Sequence, residues 1–170
     1  PRTRSWHERV MLHPTAPWGA LLAFGGAALI WATRQGTASG ALAGLLVALL
    51  ATAGLGVAAI APLALFVLGS GALTRIGRAE KERLGSAENN LGRRGVTHVA
   101  AKLSLPALAG ALAVLDAASR PTLALVYSAA LAGAFADTAA TELGPLAGGR
   151  VWGVRRLRLV SLPHGVPGGM

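Results

Sequence analysis

Residues 40–74 read GALAGLLVALLATAGLGVAAIAPLALFVLGSGALT, and how this run is divided decides the fold. A bilayer crossing needs ~20 consecutive apolar residues, with about 17 as the lower bound, so the stretch is too long for one helix. Gly54 and Gly56 offer a break near its middle. We divide it into two short spans, 40–54 and 57–74, and this choice determines the side on which the next loop emerges.

Working outward, PWGALLAFGGAALIWAT (17–33) has the length of a span and carries Trp18 and Trp31 near its ends, where amphipathic rings favour the membrane interface. Downstream, THVAAKLSLPALAGALAVL (97–115) and PTLALVYSAALAGAFADTAATEL (121–143) complete a set of about five. Only DAASR separates these two, which forces an antiparallel hairpin. The expected fold is therefore all-α: a polytopic integral membrane helix bundle, one transmembrane domain over residues 1–170, with basic loops at 75–96 and 144–170.

Composition agrees. The chain is 53% hydrophobic and 14% charged, against ~25% charged in ordinary soluble domains, and its mean hydropathy is +0.53. A formal charge of +9 would suit nucleic acid. However, the basic residues lie between apolar runs rather than along one face, and with 5% aromatic residues little is left for base stacking. Nucleic acid is excluded as a partner; the lipid bilayer is the expected one. There is no cysteine, hence no disulfide and no thiolate metal site. PRTRSWHERVMLHP, at the start, lacks a small-residue cleavage site and reads as the approach to an uncleaved span. The chain opens on Pro1 and stops at GVPGGM with no closing element, so a piece of a longer protein is expected.

Basic residues near span ends orient a membrane protein. Arg75, Arg78, Lys81, Arg83, Arg93 and Arg94 fill one loop; Arg150, Arg155, Arg156 and Arg158 follow Glu142; the turn between the last two spans has only Arg120. Both basic segments are expected to face the cytoplasm, in a bacterial inner membrane. Three spans before Arg75 would put Arg2, Arg4 and Arg9 on the far side. Either the rule is broken there, or residues 40–74 form one span plus a re-entrant piece. Gly40 and Gly44 make a GxxxG suited to close helix approach, while Pro62 and Pro106 are expected to kink their helices.

Three segments carry groups capable of chemistry. The first is AFADTAATELG (134–144), where an apolar run ends in Asp137 and Glu142. A helix entering at Pro121 and rising ~1.5 Å per residue puts Asp137 roughly 24 Å along it, near the boundary of a ~30 Å core. Asp137 stacks over Thr141 and Thr138 over Glu142, on faces ~100° apart. Such an oxygen-rich patch suits Mg2+, which takes one or two carboxylates and fills its other positions with water and substrate phosphate. Both acids stand toward a helix C-terminus, where negative charge is unfavourable, so function competes with simple pairing to loop arginines.

The second is GRAEKERLGSAENNLGRRG (77–95), which has no apolar stripe. A basic loop beside a span binds anionic lipid heads, but Arg93 and Arg94, flanked by Gly92 and Gly95, also suit bidentate phosphate binding. Lys81 joins them as a phosphate ligand, and Glu88 would orient the guanidinium forks. The third is RVWGVRRLRLVSLPHGVPGGM, from Arg150 on. RRLRLV alternates basic and apolar residues as a short strand or interfacial segment would. Gly165, Gly168 and Gly169 then offer backbone N–H groups to a phosphate, although no G-K-[ST] follows.

The order GSGALTRIGRAEKE, AENNLGRRG, AFADTAATELG, VPGGM resembles the polytopic membrane family that contains plant phytyl-phosphate kinase, from about Gly40 to the end. The most specific matches are Gly92 to Gly95 and the A-D-T-x-A-[ST]-E segment at Ala136 to Glu142. That segment is also similar to one in CTP-dependent dolichol and phytol kinases. The resemblance implies a membrane-embedded isoprenoid monophosphate kinase with CTP or another nucleoside triphosphate as donor. Asp137 and Glu142 would hold Mg2+ or orient the acceptor phosphate, Arg93 and Arg94 would bind phosphates, and Gly165, Gly168 and Gly169 would line the donor site. This chain departs from the family at Lys102, where Asn is usual, and at Val166, where Thr is. The alternatives are a non-enzymatic transporter of an anionic lipid or metabolite and an assembly subunit whose acids pair with a partner's arginines.

Overall fold

The computed structural model describes residues 16–83, 95–147, 150–153 and 158–161. Its helices are α1 (Ala16–Ala32), α2 (Ala38–Leu55), α3 (Ile60–Arg75), α4 (Arg78–Arg83), α5 (Val96–Leu115) and α6 (Arg120–Leu143), with 3-10 turns at Val57–Ala59 and Gly144–Ala147. Two short strands, β1 (Arg150–Gly153) and β2 (Arg158–Ser161), pair antiparallel with Val151 opposite Val160. Apart from this hairpin the described elements are helical, as the apolar runs require. Four segments are long and apolar enough to cross a membrane: α2, α3 with its preceding turn, α5, and α6 with its following turn; α1 is a shorter apolar helix.

The run 40–74 forms two separate helices, each long and apolar enough, α3 together with its preceding turn, to cross a membrane. Gly56 marks the break: its φ of +88° is one that L side chains rarely adopt, and its N–H still closes α2 on the Thr52 carbonyl (3.0 Å). Pro62 kinks nothing, because it falls in the first turn of α3, where no helical N–H is needed. Pro106 lies inside α5 and is buried. Having no N–H, it removes the donor that would otherwise meet the Lys102 carbonyl.

The partners of α2 and α3 are not set by sequence order alone. α2 packs most extensively against α5, and α3 against α6, whereas α2 and α3 touch little. The contact of α2 with α5 is backbone on backbone: a Cβ on Gly54 would stand 2.1 Å from the Gly110 carbonyl oxygen, and one on Gly110 would stand 2.9 Å from the Ala51 nitrogen. Close approach is thus made by Gly54 and Gly110 rather than by Gly44 of the GxxxG, whose Cβ would meet nothing within 4 Å. α3 runs parallel to α6, tied by the buried Tyr127, whose hydroxyl donates to the Ala59 carbonyl (2.9 Å). Large side chains such as Leu42, Leu65, Leu105 and Leu125 face outward; in lipid this carries no penalty.

These directions bring the C-terminal ends of α1, α3 and α6 together with the N-terminal ends of α2 and α5. One end of the bundle thereby collects Gln35, Thr37, Thr74, Arg75, His98, Lys102, Asp137 and Glu142. The opposite end carries the Gly56 break and the α5–α6 turn.

Candidate functional site

The polar end is organised around two ion pairs. The first is buried. Gly77, with φ +63°, turns the chain out of α3 into α4, and the Leu146 side chain fills the place a side chain at 77 would take (2.6 Å). This turn brings Lys81 back beneath α3. Its ammonium donates to the Leu73 carbonyl (2.9 Å) and to Glu142 Oε2 (2.6 Å), while Glu142 Oε1 accepts from the Thr74 hydroxyl (2.7 Å). Leu73 belongs to the last turn of α3, whose carbonyls lack helical donors, so Lys81 caps one helix while neutralising an acid on another. Lys81 and Glu142 are 2% and 7% exposed.

The second pair joins adjacent antiparallel helices: Lys102 of α5 donates to Asp137 of α6. The Asp137 side chain is 61% exposed and that of Lys102 23%. Asp137 lies six residues before Leu143, the end of α6, a depth of ~9 Å at ~1.5 Å per residue. A cation and an acid at matching depth on neighbouring helices neutralise each other where unpaired charge is costly.

This placement divides the patch expected from sequence. Five residues of helix set Asp137 and Glu142 ~140° apart, one facing out and the other in. With both Glu142 oxygens already accepting strong hydrogen bonds, the two acids do not form one chelating pair. Among the described residues no three His, Asp or Glu side chains come together as a metal centre would require. The donor set does not fit Mg2+ held between Asp137 and Glu142. Lys81, expected to meet phosphate, is committed to Glu142. The hydroxyls are turned back on their own helix: Thr138 donates to the Ala134 carbonyl (2.9 Å) and Thr141 to those of Asp137 and Thr138 (3.0 and 2.9 Å). Glu88, Arg93, Arg94, Gly165, Gly168 and Gly169 lie outside the described residues.

Two partners of these acids were not expected from the sequence. Lys102 is the one basic residue inside the apolar part of α5, and such a cation requires a counter-ion; the DAASR hairpin places Asp137 opposite it. Thr74 gave no signal beyond its position at the end of a span. The remaining charges of α4 make surface pairs, Arg78 with Glu82 and Arg83 with Glu80, each contributing little.

Helices of this length and apolarity, stacked through small residues and showing leucine to the outside, define a polytopic integral membrane protein whose environment is the lipid bilayer. The chain belongs to the integral membrane protein family DUF92, whose model matches residues 21–170. Among curated proteins it is similar to "Uncharacterized membrane protein sll0875" of Synechocystis sp. (strain ATCC 27184 / PCC 6803 / Kazusa), 39% identical over 111 residues, which are 62% of this chain and 40% of that protein. The chain thus spans about two fifths of the relative's length, 40%. No solved structure matches.

Proposed function

We propose that this chain carries the acceptor side of a membrane-embedded isoprenoid monophosphate kinase, transferring the terminal phosphoryl group of a nucleoside triphosphate, CTP first among the candidates, to a phytyl- or polyprenyl-type monophosphate at the cytoplasmic face. The observation that supports it most is the exposed Asp137 carboxylate beside Lys102, at the end of the bundle from which the basic loop departs. It lies in the segment that resembles isoprenoid and polyprenol kinases.

The acceptor is already an anionic oxygen, so the reaction needs alignment and charge neutralisation more than a strong base. A new P–O bond forms from that oxygen to the terminal phosphorus, the bridging bond breaks, and a nucleoside diphosphate leaves. In this reading Lys102 draws the acceptor phosphate to the boundary and offsets its charge. Asp137 holds the Lys102 ammonium in place. Arg93 and Arg94 clamp phosphate from the loop, and the glycines at 165, 168 and 169 belong to the donor side. Any Mg2+ brought by the nucleotide would be held by the nucleotide's own phosphates, with Asp137 the exposed carboxylate that could face it, since Glu142 is taken up by Lys81 and Thr74. Glu142 and Lys81 are positioning residues that fix the root of the basic loop.

The test uses the full-length protein in nanodiscs with phytyl or geranylgeranyl monophosphate, each nucleoside triphosphate and Mg2+, reading diphosphate by mass spectrometry. Diphosphate with one donor and its loss in Asp137→Asn support the reading. No diphosphate with any donor removes it and favours transport of an anionic lipid.

A further inference from the structure

Between α1, α2 and α3 lies an apolar groove of about 270 Å³, lined among others by Leu22, Gly26, Ala48, Leu63 and Leu68. Ile30, Gly44, Val67 and Leu103 also line a smaller neighbouring cavity of about 50 Å³, whose lining adds Gln35, His98 and Lys102. Both walls are mainly apolar, and the residues with polar side chains, Gln35, His98 and Lys102, border only the smaller cavity. The polar end is the end that holds Asp137, and Lys102 belongs to both the cavity and the ion pair.

The void is not a by-product of crowded packing. Glycine inside membrane helices commonly marks close approach of backbones, as Gly54 and Gly110 do here. Gly25, Gly26 and Gly44 line the groove, yet a Cβ on any of them would meet nothing within 4 Å. Glycine is the poorest helix former apart from proline, and packing among the described residues gives no reason for it at these positions. Direction matters as well. From Ile30 back to Leu22 on α1, from Gly44 to Ala48 on α2, and from Val67 back to Ile60 on α3, the lining leads away from the polar end toward the bilayer interior, over ~12 Å of helix on α1.

We propose that this groove is the tail site for the isoprenoid phosphate: the hydrocarbon chain lies between α1, α2 and α3, and its phosphate sits beside Lys102, where the smaller cavity borders the exposed Asp137 pair. The identity of the ligand rests on the kinase reading; the location does not. The volume is near the lower limit of ~300–1,000 Å³ for small-molecule sites, room for one chain rather than for a two-chain phospholipid. Since lipid tails are as apolar as the groove wall, selectivity comes from the shape of the groove and the charge of the head.

The experiment is photolabelling of the full-length protein in phosphatidylcholine nanodiscs with geranylgeranyl monophosphate carrying a diazirine near its hydrocarbon end, with diphosphate formation measured in parallel. Labels are expected on residues 22–30, 44–48 and 60–68. Gly25→Leu and Gly44→Leu should each reduce labelling by about tenfold or more, the scale on which a filled apolar pocket discriminates. Gly133→Leu, at another open glycine but on the exposed face of α6, should leave it unchanged. Gly25 lies on the outer helix α1, so that variant keeps the test informative if Gly44→Leu does not fold. Labels scattered over the outward leucines of α5 and α6, or unchanged in both groove variants, would overturn the proposal. Labelling confined to the groove without diphosphate keeps the groove and removes the kinase reading. Diphosphate formed equally by the wild type and both groove variants does the reverse.

Discussion

Two lysine–carboxylate pairs stand on the same helix end, five residues apart, and they are unlike in nearly every physical respect. Lys81–Glu142 is sealed from solvent and reinforced by Thr74 and the Leu73 carbonyl; Lys102–Asp137 leaves a carboxylate mostly exposed. A buried pair with its hydrogen-bonding capacity met is a fixture, since exchanging either partner for an incoming ligand exposes the other to a large desolvation cost. A half-exposed pair near the membrane boundary is less firmly committed, because a released long side chain can reach toward the polar interface. The comparison teaches that two acids in one sequence motif need not share one task.

The largest expected effect lies at the fixture. Glu142→Gln or Lys81→Met strands a buried charge and should destabilise the protein by about 3–5 kcal/mol. Thermal unfolding in detergent checks this, and the double variant Lys81→Met with Glu142→Met should recover most of the loss. If the single variants unfold like wild type, the distinction between the pairs collapses. Next, Asp137→Asn, which releases the Lys102 ammonium from its position, should lower diphosphate formation at least ~10²-fold, the scale of misplacing a group that meets transition-state charge, while its unfolding midpoint stays near wild type. A midpoint as low as that of Glu142→Gln would make Asp137 a second fixture instead.

A smaller effect is expected from Thr74→Val, which removes one donor from Glu142 Oε1 and should cost about 1–3 kcal/mol in the same unfolding assay. Asp116 supplies the baseline of an acid with neither burial nor a lysine. It sits in the turn at the far end, where hydrogen bonds from the Ser119 hydroxyl and then the Ala118 N–H hold its carboxyl below the ordinary value. A depressed folded pKa stabilises above the unfolded value of ~3.9, and that contribution is lost as pH falls through the lower folded value. Asp116→Asn should therefore change unfolding only slightly at neutral pH and make stability less sensitive to acid below about pH 4.

Much of the fold can be read from apolar run lengths, because a bilayer fixes how long a spanning helix must be. The break in residues 40–74 was visible for the same reason, since glycine at 54 and 56 interrupts an otherwise uniform run. Which helices touch could not be read. α1 and α2 are apolar on all sides, so no stripe marks an inward face, and GxxxG at Gly40 and Gly44 looked as good as Gly54 with Gly110. In the candidate site, counting helical rise placed Asp137 near the boundary. The separation from Glu142 was obscured because Lys81 lies in a segment whose composition reads as solvated loop, and only the Gly77 turn shows that it folds back. Lys102 was the accessible clue, as a lone cation in an apolar helix.

The seam between α2 and α5 has a consequence for biogenesis. Helices that enter the membrane as successive hairpins associate only after insertion, by close packing of their faces. Here the first hairpin, α2–α3, has few contacts of its own, while its best partners, α5 and α6, are made later by the ribosome. α3 therefore waits, stable in lipid but with few partners, and α2 has only α1, until the basic loop has been synthesised and α5 and α6 have arrived. The order of synthesis makes the basic loop the connection that must be completed before α2 and α3 can meet α5 and α6.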